Sequence, residues 1–112
     1  METPLQIRRV ILFVKNMRAV TDFYEHKLGL KVLSRSDGFV DFDAGAVRLA
    51  LHSTGAANPG RTKLCFYAEN VSRQRAELVA RGVKMGKDPG EGLKLCDGKD
   101  PEGNVFQLSN RV

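Results

Sequence analysis

Few side chains in this sequence can do chemistry, and their spacing narrows what that chemistry is. The histidines are His26 and His52 and the cysteines Cys65 and Cys96, too scattered for a zinc site or a Cys-x-x-Cys redox pair. No phosphate-cradling glycine loop and no Ser-His-Asp order occurs. Cys65 stands two residues after Lys63, where a neighbouring ammonium would lower the thiol pKa and make a nucleophile; a buried, inert thiol is the other reading. Asp41 and Asp43 share one face of a predicted strand and could divide acid and base roles, or simply be paired exposed aspartates near a turn. His26, between Glu25 and Lys27, belongs to a solvated helix face. His52 ends a predicted strand with parity opposite to Leu49 and Leu51, which leaves it exposed or facing a helix unless a bulge flips it. No catalytic residue emerges from this survey.

The elements that position these residues form a repeat. The stretch from Phe13 to Val32 returns in degenerate form from Tyr67 to Met85: the end of an apolar strand, an Asn, an amphipathic segment, a Gly and a second strand. The Asn residues are 54 apart (70 − 16) and the glycines 53 apart (82 − 29). Asn suits a helix N-cap because its side chain accepts a bond from an otherwise orphaned amide, and Gly suits a helix end because it adopts positive φ. A repeat of this length is a duplicated supersecondary module.

In the first unit, Ile7–Lys15 reads as a strand covered on both faces, with Val10, Leu12 and Val14 on one side and Arg9, Ile11 and Phe13 on the other. One helix capped by Asn16 and ended by Gly29 follows, carrying Val20, Phe23, Tyr24 and Leu28 as its apolar stripe. Strands are predicted over 30–35, 39–43 and 46–52. In the second unit, Leu64, Phe66 and Ala68 alternate with Lys63, Cys65 and Tyr67, and the later strands are 83–85, 92–96 and 104–109. The fold class is therefore α+β: two tandem βαβββ modules forming a curved mixed sheet around a cleft. Module one spans 7–52, a linker 53–61, and module two 62–110, all within one domain sharing one core.

At 112 residues the chain suffices for one core without disulfide staples. Its 42% hydrophobic and 28% charged residues are ordinary for a globular protein, and no apolar run reaches the roughly 20 residues of a membrane-spanning helix. The N-terminus lacks the layout of a secretion signal, so the expectation is cytoplasmic, with no membrane partner. The net charge of +5 comes from scattered rather than clustered basic residues, which argues against nucleic acid and suits anionic small molecules.

Three stretches resemble the vicinal oxygen chelate superfamily, which includes glyoxalase I, bleomycin-resistance and fosfomycin-resistance proteins and extradiol dioxygenases. They are Val14–Met17 with Asp22–Leu30, Leu49–His52, and Asp100–Leu108. The resemblance implies metal ligands on the first and last strands of each module, commonly His and Glu. Carried over residue by residue, those positions fall on Arg9 and Lys63, each seven residues before the Asn of its unit (16 − 9, 70 − 63), and on Leu49 and Gln107. Guanidinium and ammonium groups donate only, and a single amide oxygen does not hold a transition metal against water. No metal and no cofactor is therefore expected. The expected site is a cleft lined by Arg9, Ile11, Phe13, Leu49, Leu51, Lys63, Cys65, Tyr67, Val105 and Gln107, suited to an anionic, partly apolar small molecule. The competing reading has Arg9 and Lys63 reach solvent or pair with Asp41, Asp43 or Asp97. Two other functions stay open: a metal-dependent lyase, isomerase or dioxygenase with ligands elsewhere or shared between chains, and an interaction domain without a small ligand. A homodimer is expected in each case.

Overall fold

Each repeat unit builds a sheet whose first and last strands lie side by side. A computed structural model of the chain describes residues 6–53, 62–90 and 95–111. The first unit comprises β1 (Arg9–Val14), α1 (Met17–Asp22), a π-helical turn (Phe23–Lys27), β2 (Lys31–Ser36), β3 (Phe39–Asp43) and β4 (Arg48–Ser53). The second comprises β5 (Lys63–Tyr67), α2 (Val71–Ala80), β6 (Lys84–Met85), β7 (Leu95–Lys99) and β8 (Val105–Ser109). The strand orders are β1-β4-β3-β2 and β5-β8-β7-β6, with β1:β4 and β5:β8 parallel and the other pairs antiparallel. Of the expected linker only Ser53 is described, as the end of β4; of the strand expected over 92–96, only 95 and 96 are described, and β7 runs on to Lys99.

The caps are those the sequence specifies. Asn16 Oδ1 accepts from the Ala19 amide at 3.1 Å and Asn70 Oδ1 from the Arg73 amide at 3.0 Å. Gly29 and Gly82 close the two helical segments with φ of +79° and +87°. One element differs from the pattern. The first helix is not a uniform α-helix; after Asp22 it widens, and the Leu28 amide bonds the Phe23 carbonyl at 3.0 Å, five residues back. The wider turn lets two consecutive aromatics both point inward. Tyr24 packs against Phe42 of the first sheet, with ring centroids 6.3 Å apart, and Phe23 against Phe106 of the second, at 5.9 Å.

Those contacts make one hydrophobic core from both units. Leu12, Val14, Phe42 and Leu51 join Val71, Leu78, Phe106 and Leu108 in a single cluster of buried side chains. The inward alternation of Leu12 and Val14 on β1, with Val10 half-buried, is as expected, but the other face of that strand is open: Ile11 is 44% and Phe13 49% exposed. The same holds on β5, where Tyr67 is 60% exposed.

Among the described residues, polar bonds tie the modules at two places. The buried Asp100 carboxylate accepts from the Tyr24 hydroxyl at 3.0 Å, from Asn104 Nδ2 at 2.8 Å, and from the amides of Glu102 and Asn104 at 2.9 Å each. Burial and the adjacent carboxylate push the Tyr24 hydroxyl far above the ordinary tyrosine range, so it remains a donor. Glu102 then accepts from the amides of Lys15 and Asn16, capping α1 from the other module. At the far end of the helices, Lys27 Nζ donates to the Arg81 carbonyl at 2.8 Å and Arg81 Nη1 to the Lys27 carbonyl at 3.0 Å.

Replacing Tyr24→Phe removes one donor from a buried carboxylate. Urea unfolding is expected to show a loss of about 1–3 kcal/mol at unchanged slope. An unchanged midpoint would mean that this tie contributes nothing.

Candidate functional site

The parallel pairing decides which side chains share the open faces. In the first sheet it sets Arg9 beside Arg48, Ile11 beside Ala50 and Phe13 beside His52, and β3 adds Asp43, Asp41 and Phe39 to the same three rows. In the second sheet Lys63 lies beside Val105, Cys65 beside Gln107 and Tyr67 beside Ser109, with Lys99, Asp97 and Leu95 completing the rows. Each open face therefore carries a charged row, a mixed middle row and a row containing an aromatic. Arg9, Ile11, Phe13, Lys63, Cys65, Tyr67 and Gln107 all lie on these faces.

Leu49 does not. It pairs with Val10, points into the core and is 2% exposed, and Leu51 beside Leu12 is fully buried. The first-module counterpart of Gln107 is Ala50: Gln107 is flanked by Cys65 and Asp97, and Ala50 by Ile11 and Asp41. The expected position was one residue out, and a one-residue slip moves a side chain to the other face of a sheet. The same register puts His52 on the open face, its ring 5.7 Å from Phe13 and 6.0 Å from Phe39. Cys65 is exposed rather than buried, since its strand is uncovered on that side; its Sγ lies 3.9 Å from Gln107 Oε1. Cys96 is the buried thiol, and burial pushes its pKa up.

At the charged end of the first sheet, two guanidiniums converge on one carboxylate. Arg9 donates from Nε and Nη2 to Asp41, both at 3.2 Å, and Arg48 Nη1 donates to Asp41 Oδ2 at 3.1 Å. The Asp41 side chain is only 3% exposed, whereas those of Arg9 and Arg48 are 41% and 53% exposed. The hydrogen bond from Arg9 holds the Asp41 carboxyl below its ordinary range, with Arg48 adding to the effect and burial opposing it. The cluster carries one net positive charge, with guanidinium donors left over on its exposed side. The second sheet repeats the motif in weaker form. Lys63 Nζ donates to Asp97 Oδ2 at 3.1 Å and Gln107 Nε2 to Asp97 Oδ1 at 3.0 Å.

So both first-strand cations pair with an aspartate, Arg9 with Asp41 and Lys63 with Asp97, as the competing reading held. Pairing leaves them exposed, and it does not turn their positions into metal ligands. Among the described residues, no three His, Cys, Asp or Glu side chains are gathered closely enough to hold a metal ion. A donor set of guanidinium, ammonium and amide does not fit the metal that the resemblance implies. Sequence reasoning set His52 on the face opposite Leu49 and Leu51, where it lies exposed, but counted neither it nor Arg48 among the site residues, although the alternation of Arg48, Ala50 and His52 with Leu49 and Leu51 carried the signal.

The folded-state pKa of Asp41 lies below its unfolded value of about 3.9, so its stabilising effect is complete above that pH and lost as pH falls through the folded value. The melting-temperature gap between the native protein and Asp41→Asn should be full near neutrality and close progressively in acid. A gap independent of pH would show that the ion pair is not its source.

Comparison with known proteins agrees with this architecture. A family model described as "Glyoxalase/Bleomycin resistance protein/Dioxygenase superfamily" matches residues 6–108. No curated protein matches the chain by sequence. Among solved structures, TnmS3, an antibiotic binding protein from Streptomyces sp. CB03234, is similar at a TM-score of 0.82 and 21% identity, over 97% of this chain and 98% of that one. A lactoylglutathione lyase from Agrobacterium tumefaciens gives 0.80 and 20%, over 96% and 95%. A glyoxalase/bleomycin resistance protein/dioxygenase from Nocardioides gives 0.80 and 23%, over 97% and 85%. At these identities the likeness is one of fold.

Proposed function

This chain belongs to the glyoxalase/bleomycin resistance protein/dioxygenase superfamily, and within it we propose a metal-free binding protein for a small organic anion with an apolar body. The observation that carries the reading is the Arg9–Asp41–Arg48 cluster. A single carboxylate between two guanidiniums fixes both planes and leaves donors and a net positive charge for a ligand carboxylate, the bidentate geometry that Arg suits best. Ile11 and the Phe13, His52 and Phe39 rings supply apolar and stacking surface along the same strands. On the second sheet Lys63, Cys65, Tyr67 and Gln107 offer a similar, less basic surface. The ligand is bound rather than transformed, and no catalytic residue is assigned. The metal-dependent lyase, isomerase or dioxygenase alternative needs a metal, and the donor set at the family's ligand positions does not favour one. A neighbour in fold that is an antibiotic binding protein is in keeping with a binding role.

The chain is proposed to act as a homodimer, because Ile11 and Phe13 on the first sheet and Tyr67 on the second leave exposed apolar side chains of the kind a second copy covers in part, with the ligand between.

Titration calorimetry with benzoate and 1-naphthoate is expected to show saturable binding, weakened about tenfold by Arg9→Gln or Arg48→Gln, the effect of losing one charge-assisted hydrogen bond. Elemental analysis is expected to find no stoichiometric nickel, zinc, manganese or iron. Stoichiometric metal, with a melting temperature raised strongly by that ion, would sink the metal-free reading; carboxylate binding indifferent to both arginines would sink the site.

A further inference from the structure

We propose that the β6–β7 end of the second sheet binds a doubly charged phosphoryl group, as a phosphate ester of a small apolar molecule, through Lys84 and Lys99. These lysines are directly opposite one another across an antiparallel pair, so both side chains rise from the same face. Like charges in that position repel and weaken a sheet. Among the described residues neither has a carboxylate partner: the ion pairs of this chain involve Arg9, His26, Arg35, Arg48, Lys63 and Arg73 on the basic side.

The repeat supplies an internal control. Across the first sheet the equivalent row reads Lys31, Asp43, Arg48, Arg9; across the second it reads Lys84, Lys99, Val105, Lys63. Where the first module has an acid between basic neighbours, the second has another base. The unbalanced charge borders a cavity of about 390 Å3, lined by Lys84, Lys99, Asp97, Met85 and Val105 among others. Asp97 contributes a negative charge to the wall, but both its oxygens are engaged, by Lys63 and Gln107.

Two ammonium groups on flexible stems can converge on a tetrahedral anion, each offering up to three donors to its terminal oxygens. A carboxylate, with one charge and two oxygens, matches only one of them. Val105, in the same row as Lys99, gives an apolar surface for the remainder of the ester. The site uses neither Arg9 nor Arg48, so it and the carboxylate cluster stand or fall separately.

The test is calorimetric titration of the full chain with inorganic phosphate, phenyl phosphate and benzoate at matched ionic strength. Phosphate and phenyl phosphate should each lose about tenfold in affinity with Lys84→Gln or Lys99→Gln. Lys99→Asp, which installs the charge pattern of the first module, should abolish their binding. Lys31→Gln should leave phosphate affinity unchanged, and Lys99→Arg, which keeps the charge, should retain most of it. Equal affinity for phosphate and phenyl phosphate would identify the phosphoryl group alone as the ligand, and tighter ester binding would add the apolar wall. Phosphate affinity indifferent to both glutamine variants, or benzoate losing as much as phosphate in them, would overturn the proposal.

Discussion

The buried Asp100 carboxylate is the constraint on which the arrangement of the two modules depends. A carboxylate out of water is costly unless donors surround it, and this one has four, three from its own turn and one from Tyr24 of the other module. The turn brings Glu102 to the amides that begin α1, so one short loop both closes the second sheet and starts the first helix. Because Tyr24 must reach this carboxylate while Phe23 reaches Phe106, the helix between them widens into a π turn. The cost of an irregular helix is offset by burial of two large aromatic rings, each worth roughly 1.5–3 kcal/mol.

With the helices and inner sheet faces committed to one core, the outer faces stay open, and charge is handled differently on each. In the first sheet, buried Asp41 gathers two arginines into a surface of hydrogen-bond donors. In the second, Asp97 is half-exposed and holds one lysine, while two further lysines stand across from one another with no acidic partner among the described residues. The scaffold is one unit used twice; the chemistry on it is not.

Much of this was legible in the sequence. The Asn caps, the terminating glycines, the inward alternation of β1 and β5 and the 54-residue offset follow from local rules that tertiary structure did not override. The site was harder to read, because a face residue is defined by the neighbour strand. Leu49 was placed in the cleft by analogy with Gln107, when the alternation of Arg48, Ala50 and His52 pointed the other way. The partnership of Arg9 with Asp41, 32 residues distant, had no local signature beyond the shared parity of their strands. Nor did the π turn, whose cause lies in two sheets that the helix sequence does not contain.

Lys27 and Arg81, each just before the glycine that closes its helical segment, donate to each other's backbone carbonyl. That is the bond pattern a twofold axis writes between two identical molecules. A half-length ancestor carrying one module would have met this partner in a second copy of itself, at a concentration set by the cell. Fusion of two such genes turns the encounter into an intramolecular one, fixing the effective concentration by the length of the join. Two joined units are then free to differ, and the place that Asp43 takes beside Arg48 in one sheet is taken by Lys99 beside Val105 in the other.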